Sequence, residues 1–559
     1  MKRTASVLLA ATMSLGFVAL GTGCQTSDKV SKDPKTINVR LFKAGFGDTF
    51  IYELKQKFEA VYADEGYKME VMTPTYGSAG TAMVQEMSRG YNETQIDLYI
   101  TGSITPNMVS KIGEYGEVCE DLRNDVFNQT AINYDGTETS EKISDRIMSD
   151  FVPFTVSDDN IMYGFNWAQT TAGMVVNTKK LAAYGVTELP RTTNELFDIF
   201  DMILNGTNGV AGSAETLTYP ITYNLTKGSG GASTYQDCAL ASWLAQYDID
   251  TYNEFWRMQT NEDGAWVDLD NAYTVFENEN IKDVLEAAYQ LMDSKYAAKG
   301  SATHKLDQAQ GLIMKDANKQ NNAIFMLNGD WFLNEVKANY SSKLHDIEFM
   351  NVPVISALGV KLFGEGTKYA LSEEKCDKVL SYMCKLVDEN KSLDEIKSGV
   401  QTEFGVTLDD ADVQAVATAR GVCFARGIEH LAFVTKGSTK KDIAALVLRM
   451  MASDDFAETF MRTANASSPY AKDIKTESQY KFVNQAKNLA TNVHYRAVNS
   501  RINGLRYDVM KSDYMFPGES NLALSLYNRA ASVSYKDAAN SMYTNSIAKA
   551  KELWDVYKK

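Results

Sequence analysis

Residues able to do chemistry are present in this 559-residue chain, but their spacing excludes most reactions. Ser372-x-x-Lys375 and Ser438-x-x-Lys441 have the spacing of a serine nucleophile with its lysine. The Ser-Asp-Asn and Lys-Thr-Gly segments that complete such a site are absent. His304, His345, His430 and His494 stand far apart in sequence and join no HExxH or Cys/His cluster, so no metal is expected. Gly228–Ser233 (GSGGAS) lacks the Gly-Lys-Ser/Thr ending of a phosphate-binding loop, and no cofactor is expected either. Glycosidase chemistry needs two converging carboxylates. With 72 acidic residues the sequence leaves that possibility open without singling out a pair.

The six cysteines are Cys24, Cys119, Cys238, Cys376, Cys384 and Cys423. Setting Cys24 aside leaves an odd number with no CxxC spacing, which is not a disulfide framework. Cys376 and Cys384 lie on one helical pattern, and eight residues of helix separate them by roughly 12 Å, beyond the about 7 Å that a bridge spans. Buried free thiols are expected.

Capture of a small solute needs other side chains: aromatic faces that cover the apolar side of a ring, and hydroxyls, amides or carboxylates for its polar rim. Those types gather where strands end. Thr36–Phe42 alternates as a strand and breaks at Gly45 before a helix bearing Phe50, Ile51, Leu54 and Phe58 on one face. Tyr67–Met72, a helix through Met83, Val84 and Met87, and a strand at 96–103 follow. This alternation argues for a largely parallel α/β sheet, in which ligands collect beyond the carboxyl ends of the strands. The candidates in the first half are Phe46, Tyr76, Ser78, Thr101 and Ser103. Further on, YGFNWAQTTAGMVVNTKKL (163–181) reads as two apolar strand segments around a polar middle, with Asn166 and Trp167 there. Trp243, Asn328, Asp330 and Trp331 complete the set, while Trp256, Trp266 and Trp554 read as structural.

Four segments in order carry a resemblance to the extracellular solute-binding proteins of ABC importers, family 1, the sugar type. Tyr163, Gly164, Asn177 and Leu181 match that family's Tyr-Gly-x-Pro and Tyr-Asn-Lys-x-x-Leu segment, with Asn166 in place of proline. Pro190–Leu196 resembles its Pro-x-Thr-Trp-x-Glu-Leu helix start, Thr193 being the expected N-cap. NNAIFMLNGDWFLNEVK (321–337) resembles its strand that turns on a glycine into a helix beside the cleft. HLAFVTKGSTKKDIAALVLRMMASDDFAETFM (430–461) resembles the strand and helix that return to the first lobe, with Thr439 and Asp442 at capping-box spacing. The resemblance covers most of residues 36–470. It implies two α/β lobes of the periplasmic-binding-protein type, each discontinuous in sequence, joined by about three crossings, with Trp167 reachable from both lobes.

At the start of the chain Lys2 and Arg3 precede an apolar stretch, Ala5–Leu20, and small residues before Cys24, the order of a secretory signal. Leu20-Gly21-Thr22-Gly23-Cys24 resembles a bacterial lipobox. The expected organisation is a signal at 1–23, a tether at 24–35, a first lobe at 36–165 and 426–467, a second at 166–356 and 468–559, and an insertion at 357–425. The formal net charge of −16 becomes two units more negative once Lys2 and Arg3 leave, which disfavours nucleic acid as a partner. The resemblance implies a monomeric, lipid-anchored, non-enzymatic protein on the outer face of the membrane that delivers a carbohydrate to permease subunits. A polyamine, a peptide, or a surface polysaccharide-docking or sensor role are the alternatives. If Cys24 carries the anchor, Cys24→Ser protein should be found in the medium or unprocessed. A processed, membrane-bound mutant would refute the anchor.

Overall fold

The computed structural model describes residues 30–73, 79–102, 104–110, 118–157, 159–206, 218–226, 234–426, 430–470, 477–491, 495–497 and 522–558. The signal-like segment, Cys24, Tyr76, Ser78, Ser103, Gly228–Ser233 and His494 lie outside them.

Two sheets organise the chain. The first runs in the order Lys68–Met72, Thr36–Leu41, Leu98–Ile100, Leu431–Val434, Phe165–Asn166. Its first three strands are parallel, and Leu431–Val434 is antiparallel to its neighbours on both sides. Helix Thr49–Val61 covers this sheet because its apolar residues recur at helical spacing. Phe50, Ile51, Leu54 and Phe58 are the four it buries.

The second sheet is built around one strand, Thr170–Asn177, every residue of which is buried. On one side it pairs antiparallel with Asn322–Gly329. Two strands share its other side. Val422–Arg426 takes residues 170–172, and Ile347–Met350 takes 174–177. Thr218–Ile221 and Tyr495–Ala497 extend the sheet outwards.

The chain passes between the sheets three times. Residues 167–169 join Phe165–Asn166 to Thr170–Asn177. The chain returns between Arg426 and Leu431, and leaves again after helix Asp454–Ala464 toward helix Lys481–Thr491, which packs on Ile347–Met350. The Gln169 amide donates to Ser467 O at 2.8 Å, so the first and third passages run side by side.

The stretch expected as an insertion, 357–425, holds three complete helices, Glu373–Asp388, Leu393–Phe404 and Asp410–Arg420, and most of a fourth, Ser356–Phe363. Cys376, Val379, Leu380, Met383 and Val413 join the second-lobe core, and the stretch ends in a strand of the second sheet. It is therefore an integral layer of that lobe. The acidic run within it forms a helix start, Asp409 and Asp412 making a reciprocal capping box. The last helix, Tyr535–Tyr557, packs on helix Asn280–Leu291. Its approach is fixed by Asp293, which accepts from Arg529 Nη2 at 2.5 Å and Tyr535 Oη at 2.8 Å.

Two capping assignments change. Thr192, not Thr193, caps helix Thr193–Asn205, its hydroxyl accepting from Glu195 N, while the Thr193 hydroxyl is engaged with Ser356. Thr439 and Asp442 form no capping box, because the turn before helix Lys441–Met451 is shaped by buried contacts. Ser438 Oγ donates to Asp97 Oδ1 at 2.5 Å, and Lys440 Nζ lies 2.8 Å from Asp97 Oδ2 and donates to Thr36 O at 2.7 Å. Among the described residues the five cysteines are buried and form no disulfide.

The Asp97–Lys440 pair is almost wholly out of water, and it locks the returning segment to the edge of the first sheet. Removing one member leaves the other charge buried and uncompensated. Lys440→Ala should lower the free energy of unfolding by about 3–5 kcal/mol in denaturant titration. A loss below about 1 kcal/mol, the range of an exposed pair, would refute this role.

Candidate functional site

In both sheets the strand ends that face the crossings carry the candidate residues. On the first sheet, Phe42 N donates to Ile100 O at 2.8 Å, and a short 3-10 turn, Ala44–Phe46, then swings Phe46 under the crossing segment. Phe46 lies edge-on to Trp167 (5.3 Å between centroids) and to the His430 ring (5.5 Å).

Trp167 is fully enclosed. It stacks on Phe50 at 5.7 Å, touches Phe460, and donates from Nε1 to Thr101 O at 2.8 Å. Its polar neighbours in sequence suggested a ring open to both lobes; in the structure its faces are already taken by the aromatic core of the first lobe. Thr101 is likewise buried, its hydroxyl donating to Leu431 O at 2.7 Å. Asn166 is buried in the strand paired with Leu431. Trp243 belongs to the second-lobe core, with Nε1 donating to Pro353 O at 3.0 Å. Neither tryptophan offers a free face.

The second lobe presents the more open chemistry. Strand Asn322–Gly329 ends with Asn328, whose side-chain oxygen accepts from Gly329 N at 2.7 Å. Asp330 closes the pairing with the crossing strand. Its amide donates to Thr171 O at 3.0 Å, and its Oδ2 accepts from Thr171 N at 3.1 Å. Among the described residues Asp330 Oδ1 and Thr171 Oγ1 are buried with no partner, and so are Thr222 Oγ1 and Asn224 Nδ2 just beyond strand Thr218–Ile221. Burial pushes the Asp330 carboxyl well above the usual carboxylate range, against the pull of the backbone amides around it. Trp331 is half-buried, and its ring lies directly over Gly329, where any side chain would overlap it. It opens helix Phe332–Tyr340, which meets the first lobe at the turn holding Gly45.

The structure thus brings Phe46, Thr101 and Trp167 together on the first lobe, with Asp330 and Trp331 on the second, and sets Trp243 apart. Spacing arguments passed over His430, Thr171 and Glu335. His430 immediately precedes the returning strand, and Glu335 follows Trp331 by four residues, one helical turn, which was the available signal. A cavity of about 440 Å³ lies elsewhere, beside Arg191, Glu348, Asp388, Arg420 and Lys481. Among the described residues no three His, Cys, Asp or Glu side chains are grouped to hold a metal ion, and no helix is long and apolar enough to cross a membrane.

Two sheets, three passages between them and facing strand ends define the two-lobed α/β fold of solute-binding proteins. RafE with raffinose bound superposes on this chain with a TM-score of 0.52 at 12% identity, over 93% of this chain and 99% of its own. The apo form of RafE, from Streptococcus pneumoniae, gives 0.52 at 12% identity over 94% and 98%. Maltose-bound MalE3 of T. maritima gives 0.52 at 12% identity over 93% and 99%. At such identities the likeness is one of fold. No protein-family model matches the sequence, and no curated protein matches it.

The packing of Trp167 sets its expected behaviour. Trp167→Ala should cost about 3–5 kcal/mol of stability, as for other buried tryptophans, read as a lower melting temperature without ligand. An unchanged melting temperature would return the residue to the cleft.

Proposed function

We propose that this protein captures a carbohydrate outside the membrane and delivers it to the permease of an ABC importer, without chemistry. The observation that carries the proposal is the second-lobe edge. There the partly exposed Trp331 stands beside buried polar atoms, Asp330 Oδ1 and Thr171 Oγ1, that have no partner among the described residues. An unpaired buried polar atom is costly, and a sugar hydroxyl supplies what is missing while its ring covers the indole face. Asn328, Thr101 and Asn166 support this edge and the one opposite, and Phe46 closes the first-lobe side. Raffinose in RafE and maltose in MalE3, held by the same fold, favour an oligosaccharide as the ligand class.

Contacts made by both lobes at once favour the closed arrangement, and that difference in affinity is what drives closure. No turnover of the ligand is expected. Anchoring through Cys24, a tether at 24–35, a monomeric state and the lobe limits 36–165 with 426–467 and 166–356 with 468–559 belong to the same proposal. In the same proposal the stretch 357–425, expected as an insertion, belongs to the second lobe, on whose core it packs.

Calorimetric titration with a saccharide panel that includes raffinose, maltose and chitin oligosaccharides tests it. Stacking on an aromatic ring contributes on the order of 1–3 kcal/mol, so Trp331→Ala should weaken binding roughly five- to two-hundred-fold. Equal affinity in the mutant would remove Trp331 from the site. Failure of every saccharide to bind would transfer the proposal to a non-sugar solute.

A further inference from the structure

The helix that presents Trp331 also carries Glu335, and both press on the first lobe at the same point. A Cβ added to Gly45 would stand 3.3 Å from Trp331 Cβ and 3.5 Å from Glu335 Oε1. The bare Cα of Gly45 therefore forms one wall around the Glu335 carboxyl. The other wall is within the second lobe, where Gln310 of helix Leu306–Met314 donates from Nε2 to Glu335 Oε2.

Among the described residues no cation is placed to balance this group. On the first-lobe side Lys43 pairs with Asp48 at 2.5 Å, and Arg462 pairs with Glu53 at 2.5 Å. On the second-lobe side Lys343 pairs with Asp316 at 2.7 Å, and Lys337 donates to Asn334 Oδ1 at 3.2 Å. Tyr340 on the Glu335 helix, Asp307 on the Gln310 helix, and His345 and Asp346 on the turn after helix Phe332–Tyr340 are the remaining ionisable groups described on these elements. None of these acts on Glu335. Burial pushes its carboxyl up to about 7, and the Gln310 hydrogen bond opposes that to a smaller degree.

We propose that Glu335 is a proton-linked latch of lobe closure: its neutral carboxyl seats against Gly45 when the lobes meet, and loss of the proton favours opening. The inference rests on the closure mechanism proposed above and is independent of which solute binds. Separation of the lobes removes the Gly45 wall and leaves only the Gln310 side, which moves the carboxyl toward the about 4.3 of a solvated glutamate. Between that value and about 7 the closed arrangement holds a proton that the open one has shed. Closure is therefore favoured in acid, and the contribution is lost as pH rises through about 7. For one proton, the closed-to-open ratio should fall about tenfold between pH 6 and pH 8.

The test needs no ligand. Spin labels at Lys57→Cys on the first lobe and Lys397→Cys on the second report the distance distribution between lobes in the full chain. The closed-to-open ratio should be about tenfold higher at pH 6 than at pH 8. Glu335→Gln should give the same ratio at both, and Gly45→Leu should hold the lobes apart at both. A wild-type distribution that does not change with pH overturns the proposal, as does a shift that persists in Glu335→Gln. If Glu335 mattered only to the second lobe's own stability, pH would move the melting temperature while the distances stayed constant, which also overturns it. A wrong ligand assignment would leave these populations untouched.

Discussion

One strand holds this molecule in register. Thr170–Asn177 is buried throughout and is hydrogen-bonded to a single strand on one side and to two successive strands on the other. Because residues directly opposite share a face, the pairing of Gly329 with Ala172 fixes where Asp330 and Thr171 meet. A slip of one residue would turn every buried side chain of the strand to the other face. Only three residues separate this strand from Phe165–Asn166 of the first sheet, so its register also sets where the lobes face each other.

The two lobes prepare their edges in different ways. The first is apolar at its edge: Phe46, Phe50, Trp167 and Phe460 fill one another's ring faces. Such pairs contribute about 0.5–1.5 kcal/mol each beyond the area they bury, and they make this edge rigid. The second lobe leaves polar atoms unmatched among the described residues of its edge and keeps Trp331 partly exposed. A stiff wall opposite an unsatisfied one is the arrangement in which a guest's hydroxyls change the balance between open and closed forms most.

Much of this was legible in the residues. The amphipathic pattern of Phe50, Ile51, Leu54 and Phe58 located a helix and its buried face, and the order of strands and helices pointed to parallel pairing, which holds for the first three strands of the first sheet but not around Thr170–Asn177, whose three partners are all antiparallel. NGDW at 328–331 marked a strand-to-helix turn, which is where Trp331 stands over Gly329. Trp167 was misread for a physical reason: its neighbours in sequence are polar, but its neighbours in space come from residues 46, 50, 430 and 460. The capping roles of Thr193 and Thr439 failed likewise, since Ser356 and Asp97 reach those turns from elsewhere in the chain. Local pattern reports the period of an element, whereas the partner that takes a hydroxyl or a ring face is supplied by tertiary contact. Glu335 shows the same limit, because one of the walls around it, Gly45, belongs to the other lobe.

The Asp97 carboxylate waits for Ser438, 341 residues further along the chain, and for Lys440 beside it. Leu431–Val434, which fills the gap between Leu98–Ile100 and Phe165–Asn166, is as distant. Until that segment arrives the first sheet lacks its fourth strand, and Asp97 is a charge without its cation. Closing so long a loop is slow, because the entropy of the intervening chain is lost before any contact compensates for it. The second sheet, most of whose strands lie between the two halves of the first, can assemble in the meantime. The lobe that begins the chain is thus completed late, and its unpaired edges at Leu98–Ile100 and Phe165–Asn166 are the surfaces most exposed to mispairing while the protein folds.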